Sequence, residues 1–268
     1  MEKLGIFNQL EIVNQQAPIV HSITNLVVMN TTANALLAIG ASPIMAHAQE
    51  EIVEIIGISN ALVINIGTLS NTWAEVMVVA AQTANEKQRP WVLDPVGAGI
   101  SAFRNASLQR LLNLKPTVIR ANASEIQALA DFNLSNTKGV DSASRSDEAL
   151  TAAKILNKTY GSIVCISGEV DYIVSHNTIV EVHNGHAMQT KVTGMGCTAT
   201  AMIAAFLGTG NNYQQQAVAA VAILSLAGEL AAGIAKGPGT LQLHLYDVLY
   251  NLSKADIIDN LNLVHYAY

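Results

Sequence analysis

The segment Thr193-Gly-Met-Gly-Cys197 has the residue types and the spacing of a site that can bind a phosphate group. Its two glycines, one residue apart, leave the backbone free to turn sharply and to expose successive N–H groups. An alanine-rich run from Cys197 to Leu207 follows, so these N–H groups would lie in the first turn of a helix, where the macrodipole favours an anion. Cys197 would share that turn, which predicts a depressed thiol pKa. An ordinary glycine-containing loop before a core helix explains this segment, taken alone, equally well.

The composition argues against several classes of function. Half of the 268 residues are hydrophobic and 13% are charged, so a large core can be buried and other subunits are expected to cover part of the surface. A net charge of −6 and the lack of a basic stripe argue against a nucleic-acid partner. The two cysteines, Cys165 and Cys197, suit a reducing compartment, and the first residues do not resemble a signal peptide. We therefore expect a cytoplasmic protein.

One segment, Ala217 to Ala235, is long enough to cross a bilayer. It contains polar Ser225 and a single charge, Glu229, among alanines and glycines, so a helix buried on all sides explains it better. No membrane partner is expected. Glu229 keeps two interpretations, as a buried and hydrogen-bonded helix residue or as a polar contact at a subunit interface.

Short β-branched runs alternate with helical stretches along most of the chain. The predicted strands are Ile19–Ile23, Pro43–Ala46, Ala61–Ile66, Trp91–Asp94, Thr117–Arg120 and Ser162–Ser167. The predicted helices are Asn30–Ile39, Glu50–Ile58, Thr72–Gln88, Ala106–Leu112, Ser124–Ala130 and Asp147–Thr159. This alternation predicts an α/β fold, with parallel strands joined by right-handed crossovers and helices on both faces of one sheet.

The remaining segments complete this organisation. Tyr172–Ser175 and Thr178–His183 are predicted to form a hairpin that closes one edge of the sheet. The chain from Cys197 onward is expected to be wholly helical. Ser135–Asp147 is interpreted as a polar loop and not as a linker, so residues 1–268 are predicted to form a single domain.

In such sheets, ligands bind at the carboxyl ends of the strands. Asp94 ends the fourth strand and can hold a magnesium ion through water, or it can cap the next helix. Asn122 and Glu125 form a capping arrangement that is compatible with magnesium binding at the same rim. Arg120 ends an apolar strand and is costly to bury unless a carboxylate or a phosphate pairs with it. No Gly-Lys-Ser/Thr occurs, which argues against a P-loop enzyme.

Two further residues are candidates for contact with a small ligand. Asn25 follows the first strand and can bind a small polar ligand or a phosphoryl group. Met45 lies in the second predicted strand and suits an apolar wall. His183-x-x-His186 lacks a cysteine or carboxylate at the spacing of a zinc site.

The chain resembles the hydroxyethylthiazole kinases, thiamine-salvage enzymes of the ribokinase-like superfamily. Seven segments carry this resemblance in order: His21-Ser-Ile-Thr-Asn25-Leu-Val-Val, Ala38-Ile-Gly-Ala-Ser-Pro-Ile-Met-Ala46, Asp94-Pro-Val-Gly-Ala-Gly99, Arg120-Ala-Asn-Ala-Ser-Glu125, Ser167-Gly-Glu169, Thr193-Gly-Met-Gly-Cys197 and Gly237-Pro-Gly-Thr240. Asn122-x-x-Glu125 is similar to the superfamily's magnesium-associated motif, and Thr193–Cys197 is similar to its anion-hole glycine loop. The resemblance implies a ribokinase-like three-layer α/β/α fold with a mostly parallel central sheet.

The resemblance also implies an activity: transfer of the ATP γ-phosphate to the hydroxyl of 4-methyl-5-(2-hydroxyethyl)thiazole. It implies site residues, namely Arg120, Ser167 and Gly196 for ATP, Asp94 and Glu125 for Mg²⁺, Asn25, Met45 and Gly194 for the alcohol, and Cys197 as catalytic base. It further implies a homotrimer with active sites at the subunit interfaces. Two residues depart from the usual pattern, because Ala121 replaces a glycine and Ser167 replaces a threonine.

Two other functions fit the same fold. A nucleotide-dependent lyase would need an aspartate in place of Cys197 after the glycine loop. A nucleotide-binding sensor without catalysis is disfavoured because Asp94, Arg120 and Glu125 are all intact.

Overall fold

A computed structural model describes residues 2–132 and 145–268. The strands are β1 (Ile19–Ile23), β2 (Ser42–Ile44), β3 (Ala61–Asn65), β4 (Trp91–Asp94), β5 (Val118–Asn122), β6 (Ile163–Ser167), β7 (Asp171–Ser175), β8 (Thr178–Val182) and β9 (Leu263–Ala267). The helices are α1 (Lys3–Gln16), α2 (Met29–Ala38), α3 (Ile52–Ile58), α4 (Asn71–Glu86), α5 (Ala102–Leu112), α6 (Ala123–Asp131), α7 (Arg145–Tyr160), α8 (Met195–Leu207), α9 (Tyr213–Ile234), α10 (Pro238–Asn251) and α11 (Lys254–Asn260). A short 3₁₀ helix spans Ala187–Lys191.

The strands form one nine-stranded sheet in the order β2-β1-β3-β4-β5-β6-β7-β8-β9. Each neighbouring pair from β2 to β6 is parallel, and the pairs from β6 to β9 are antiparallel. The carboxyl ends of the parallel strands therefore meet at one edge of the sheet, where this class of fold binds ligands.

Successive side chains of a strand point to opposite faces of the sheet, and the apolar strands here have apolar side chains on both faces. Helices therefore cover both faces. In β3, Val63 packs with α1, α2, α8, α9 and α10, whereas Leu62 and Ile64 pack on the other face with α3 to α7. Each face thus has its own hydrophobic core. This is the three-layer α/β/α architecture that the sequence predicts.

The β-branched runs predict the parallel strands to within two residues at each end, and β1 and β4 match their predicted bounds. Helix α5 begins at Ala102, four residues before its predicted start, because Ser101 caps it by accepting a hydrogen bond from the N–H of Arg104. Most of the predicted polar loop Ser135–Asp147 lies outside the described residues, and its last three residues begin α7.

Two predictions about the sheet edge are wrong. The chain after Cys197 is not wholly helical, since Leu263–Ala267 forms β9. Strand β9 pairs antiparallel with β8 from Thr178–Ala267 to Val182–Leu263, so the β7–β8 hairpin does not close the sheet. The edge strand comes from the carboxyl-terminal segment of the chain.

Helix α9 is long and apolar enough to cross a membrane by length and composition alone. It packs against α1, α8 and α10, and its residues from Gln216 to Gly228 are buried. The prediction of a core helix is confirmed. Glu229 is half-buried and accepts hydrogen bonds from Asn184 and Gly185, which agrees with its interpretation as a hydrogen-bonded helix residue.

Candidate active site

The turn before α8 gives the helix a free amino-terminal end. Gly194 has a φ of +82°, and a Cβ built on it would lie 2.7 Å from Val28 Cγ1, so the turn requires glycine here. The first helical hydrogen bond runs from the N–H of Thr198 to the carbonyl oxygen of Gly194 at 2.8 Å. The N–H groups of Met195, Gly196 and Cys197 therefore have no acceptor within the helix, which makes this end a place for an anion.

Arg120 faces this end of α8. A Cβ built on Gly196 would overlap the Arg120 guanidinium, with Cζ only 3.1 Å away, so the arginine occupies the space that a side chain would fill. Arg120 Nη2 donates to Ser167 Oγ at 2.5 Å, across the paired strands β5 and β6. Within residues 2–132 and 145–268, Arg120 forms no ion pair, and its buried Nε has no hydrogen-bond partner. A guanidinium with a spare donor beside free helix N–H groups fits a phosphate group.

These groups open into a cavity of about 890 Å³. Its wall contains Arg120, Ser167 and Gly196, with Met195 and Ala199 of α8 beside them. It also includes residues of the β6–β7 turn, of the segment around the 3₁₀ helix, and of α9: Gly168, Glu169, Asp171, Asn184, Gly185, His186, Gln189, Thr190, Val221, Leu224 and Ser225. The volume lies in the range of pockets that bind small molecules and cofactors.

A second cluster, of amides around a thiol, lies where β1, β3 and α8 meet. Asn65 uses all of its side-chain hydrogen-bonding capacity there: Oδ1 accepts from Asn25 Nδ2 and from the N–H of Gly67, each at 2.9 Å. Its Nδ2 donates to Asp94 Oδ2 at 2.6 Å and to Cys197 Sγ at 3.1 Å. Asn25 Nδ2 lies 3.4 Å from the same sulfur. The thiol is therefore held by two amide donors.

The expected depression of the Cys197 pKa is wrong. Burial and the neighbouring Asp94 carboxylate raise the pKa of this thiol to about 11, although the hydrogen bonds from Asn65 and Asn25 and the charge of Arg120 act in the opposite direction. Desolvation disfavours the thiolate more than the surrounding donors favour it. Near neutral pH, Cys197 is thus a neutral thiol.

Asp94 is buried at the end of β4 with 1% of its surface exposed. Both hydrogen bonds that its carboxylate accepts in the described part of the chain end on Oδ2, from Asn65 Nδ2 at 2.6 Å and from Thr200 Oγ1 at 2.8 Å. Burial raises the pKa of Asp94, while Arg120 and the two donors lower it and Glu125 raises it further. Asp94 caps no helix, because Ser101 is the amino-terminal cap of α5. The alternative of a capping aspartate is excluded.

Glu125 forms the capping box that the sequence predicts. Its N–H donates to Asn122 Oδ1 at 3.0 Å, and its Oε2 accepts from the N–H of Asn122 at 3.1 Å. Its Oε1 accepts from the N–H of Gly97 at 2.9 Å, which ties the loop after β4 to the start of α6. The carboxylate is therefore held at the rim by two backbone donors.

The donor set at this rim suits a magnesium ion. Glu125 raises the pKa of Asp94 through its charge, so the two carboxylates are close enough to interact, and a cation between them would relieve that repulsion. Mg²⁺ usually binds one or two carboxylates and keeps several waters. The described residues hold no cluster of three or more histidine, cysteine, aspartate or glutamate side chains that would form a fuller metal cage.

Met45 lies apart from the hydrogen-bonded cluster. It follows β2, whose pairing with β1 brings its carboxyl end beside that of β1, the strand that precedes Asn25. Its carbonyl oxygen lies 2.9 Å from His47 Nδ1, and the His47 ring stacks on Trp73 with ring centroids 4.5 Å apart. The structure thus puts Met45 at the same edge of the sheet as Asn25, with its carbonyl oxygen in contact with one of two stacked rings.

Comparison with known proteins identifies a family for this chain. Residues 10–255 match the hydroxyethylthiazole kinase family. The chain is 50% identical over 253 residues to a hydroxyethylthiazole kinase of Syntrophus aciditrophicus, with 94% of each chain covered. A solved structure of a hydroxyethylthiazole kinase protein from Pyrococcus horikoshii is 38% identical and has a TM-score of 0.90, over 97% of this chain and 98% of that one.

The chain belongs to the hydroxyethylthiazole kinase family. A ribokinase-like superfamily protein from Enterococcus faecalis, 15% identical with a TM-score of 0.65 over 95% of this chain and 96% of that one, shares the fold. The fold of this member of the hydroxyethylthiazole kinase family is therefore ribokinase-like, as the resemblance implies.

For this family member, sequence reasoning missed several residues around the site. Asn65 ends the apolar run Ala-Leu-Val-Ile, and the strand-end rule that selects Asp94 selects it equally well. Thr200 lies three residues after Cys197 in a helix, a spacing that puts both side chains on one face. Asp171 and Asn184 had no such signal, because they reach the cavity from antiparallel strands and their connections.

Proposed function

We propose that this protein transfers the γ-phosphate of ATP to the hydroxyl of 4-methyl-5-(2-hydroxyethyl)thiazole, in thiamine biosynthesis and salvage. The observation that carries the proposal is Arg120. Its buried Nε has no partner among the described residues, and its guanidinium lies against Gly196 at the free end of α8. Family membership supports the choice of the acceptor alcohol.

The cavity beside Arg120 is the proposed ATP site, with Arg120, Ser167 and Gly196 at its phosphate end. The cluster of Asn25, Asn65 and Cys197 is the proposed acceptor side, together with Met45 and Gly194. Gly196 and Cys197 are adjacent in the first turn of α8, so the phosphate end of the cavity and the acceptor side meet at this turn. An alcohol beside Cys197 would therefore be next to the phosphate end of the cavity.

Phosphoryl transfer of this kind needs positioning and charge stabilisation more than covalent chemistry, because its transition state is loose. Arg120 and the N–H groups of the first turn of α8 would stabilise the charge on the transferring group. Asp94 and Glu125 would hold Mg²⁺, which supplies neutralising charge at the phosphates when bound. Asn65 and Asn25 fix the position of the Cys197 sulfur.

The proton of the alcohol needs a separate explanation, because a thiol whose pKa is about 11 is almost wholly protonated near pH 7 and has no free site to accept a proton. At that pH the thiolate fraction is on the order of 10⁻⁴. A loose transition state requires little deprotonation before attack. We therefore propose that the Cys197 thiol only positions the hydroxyl, and that the hydroxyl proton passes to water or to the transferred phosphoryl group once the O–P bond has formed. This is a smaller role than that of an ionised base.

Of the alternatives, the lyase remains disfavoured because Cys197, and no aspartate, follows the glycine loop. A sensor without catalysis would not require Asn65 to join Asp94 and Cys197 by hydrogen bonds. These contacts favour an enzyme that uses both residues.

The choice of substrate is tested by incubating the protein with Mg-ATP and each of three alcohols: hydroxyethylthiazole, pyridoxal and hydroxymethylpyrimidine. Mass spectrometry of the products should show the thiazole phosphate as the main ester. Preferential phosphorylation of either other alcohol would contradict the substrate assignment, and ester formation with none would contradict the kinase function.

We also propose a cytoplasmic homotrimer whose active sites lie at subunit interfaces, each chain forming one domain over residues 1–268. The continuous nine-stranded sheet supports one domain, and the free thiols Cys165 and Cys197 support a reducing compartment. Leu26 and Val27, next to Asn25, are 64% and 62% exposed, so a second subunit would bury them beside the acceptor side. Sedimentation should give a trimer at assay concentration, and a fully active monomer would contradict the proposal.

A further inference from the structure

Two polar residues of α9, Ser225 and Glu229, lie one helical turn apart in an apolar helix. Every other residue from Ala217 to Ala231 is apolar or glycine. Ser225 is 7% exposed and Glu229 is half-buried. Residues four apart share a helix face, and polar groups in such a setting are costly unless they are hydrogen-bonded. Their hydrogen-bond partners therefore show which segments of the chain this face of α9 keeps in place.

Ser225 holds the turn between β6 and β7. Its Oγ donates to Asp171 Oδ2 at 2.7 Å, and Asp171 Oδ1 accepts from the N–H of Gly168 at 3.1 Å. Gly168 directly follows Ser167, whose hydroxyl accepts the hydrogen bond from Arg120. Ser225 thus fixes, through Asp171, the part of the cavity wall that carries Ser167.

Glu229 holds a different part of the wall. Its Oε2 accepts from Asn184 Nδ2 at 2.9 Å and from the N–H of Gly185 at 3.1 Å. Asn184 and Gly185 both line the cavity, whereas Glu229 itself does not. The carboxylate therefore acts on the cavity only through these two residues.

Gly228 brings the segment around the 3₁₀ helix against the same helix face. A Cβ built on Gly228 would overlap the amide of Gln189, so the absence of a side chain lets Gln189 pack on the backbone of α9. Gln189 Oε1 in turn accepts from the N–H of His186 at 2.8 Å. Gln189 and His186 are wall residues as well.

We infer that Ser225, Gly228 and Glu229 are positioning residues for the nucleotide, and that α9 sets the separation between two walls of its cavity. One wall is the turn Gly168–Asp171, and the other is the segment Asn184–Gln189. The inference rests on the proposed function, because it takes the cavity as the ATP site. The acceptor cluster of Asn25, Asn65 and Cys197 has no hydrogen bond to α9 within residues 2–132 and 145–268, so the effect should fall on ATP alone.

The test compares Ser225→Ala, Gly228→Ala, Glu229→Leu and Glu229→Gln with the unmodified protein. Steady-state kinetics should show that Glu229→Leu raises the KM for ATP about tenfold while the KM for the thiazole alcohol stays within about twofold. Ser225→Ala and Gly228→Ala should change the KM for ATP in the same direction. Glu229→Gln should restore most of the affinity, because its Oε1 can still accept from Asn184 and Gly185.

Calorimetric titration with ADP, without any alcohol, gives a readout that does not depend on turnover. The dissociation constant should rise in the same variants. Matched controls are Glu11→Leu, an exposed helix glutamate, and Ser107→Ala, a buried helix serine that donates to the carbonyl oxygen of Phe103. Both controls should bind ADP like the unmodified protein.

The inference fails if folded variants bind ADP normally, or if the KM values for ATP and for the alcohol rise together. If circular dichroism shows that Glu229→Leu is unfolded, Ser225→Ala and Gly228→Ala decide by the same criteria. Failure of the proposed function looks different, since the unmodified protein would then bind ADP without phosphorylating the alcohol. Loss of ADP affinity in the variants would still support the positioning role.

Discussion

The guanidinium of Arg120 and the backbone of Gly196 are in such close contact that no side chain fits on Gly196. This contact joins β5 to the first turn of α8 and puts a positive charge beside three helix N–H groups that have no intrahelical acceptor. Arg120 keeps its buried Nε without a partner in the described part of the chain. An anion at this place would meet a preformed set of donors.

Gly196→Ala should therefore impair ATP use strongly. The added Cβ would displace Arg120, and we expect kcat/KM for ATP to fall on the order of 10²-fold, as when one preorganised donor is lost. Gly233→Ala is the matched control, because a Cβ at this other helix glycine meets nothing within 4 Å. Steady-state kinetics that show equal activity for the two variants would contradict the account of the phosphate site.

Cys197→Ala should lose activity only modestly. General-base catalysis is typically worth ~10²–10⁴-fold, and a thiol with a raised pKa in a reaction with a loose transition state should fall at or below the lower end. Cys197→Asp should retain or improve activity, since Asn25 and Asn65 would donate to the new carboxylate. The measurement is kcat for both variants, with folding checked by circular dichroism, and complete loss of turnover in Cys197→Ala would show an essential role.

Asp94→Ala and Glu125→Ala should weaken the use of Mg-ATP far more than they weaken folding. Glu125→Ala also removes one of the two hydrogen bonds of the α6 capping box, the one that Glu125 Oε2 accepts from the N–H of Asn122, which costs about 1 kcal/mol of stability. Initial rates across a magnesium titration, together with thermal unfolding, separate the two effects. Wild-type turnover by both variants in limiting Mg²⁺ would show that the carboxylates have no such role.

The protein should become less stable as the pH is lowered, partly because of His21. Burial lowers the pKa of His21, the hydrogen bond to the carbonyl oxygen of Ala46 raises it, and His47 lowers it further. Since the folded pKa lies below the unfolded value of 6.5, the unfolded state takes up more protons as the pH drops below 6.5, and stability is lost there.

His21→Gln should remove part of this loss while it keeps a donor for Ala46. Its melting temperature should therefore depend less on pH between 7 and about 5 than that of the unmodified protein. His176→Asn, at an exposed turn position with positive φ, is the control and should leave the pH dependence unchanged. Parallel melting curves for His21→Gln and the unmodified protein would refute this explanation.

The parallel part of the fold could be predicted because its signals are local. Ile19–Ile23 and Trp91–Asp94 are β-branched or apolar runs with polar or turn-forming residues around them, and their bounds are observed as predicted. Leu263–Ala267 has no comparable signal, because it follows a polar helix and ends in exposed residues. It becomes a strand only by pairing with β8, some eighty residues earlier in the chain.

The positions of candidate site residues could be predicted where each follows from its own strand. The properties of the site could not, where they depend on groups from distant segments of the chain. Asp94 lies at the end of its strand as predicted, whereas Arg120 lies two residues before the end of β5. The raised pKa of Cys197 could not be predicted, because it results from burial and from Asp94, which lies about a hundred residues earlier in the chain. The local rule for a cysteine at a helix amino terminus considers the helix alone, and here desolvation is the larger effect.

The release of ADP on addition of the thiazole alcohol tests the central claim most directly. For the unmodified protein with Mg-ATP, the account predicts ADP release that depends on the alcohol and equals the amount of phosphate ester formed. For Arg120→Gln, which removes the charge from the phosphate end of the cavity, it predicts a fall in kcat/KM for ATP on the order of 10²–10³-fold. ADP release by the unmodified protein that does not depend on the alcohol, or unchanged kinetics in Arg120→Gln, would contradict it.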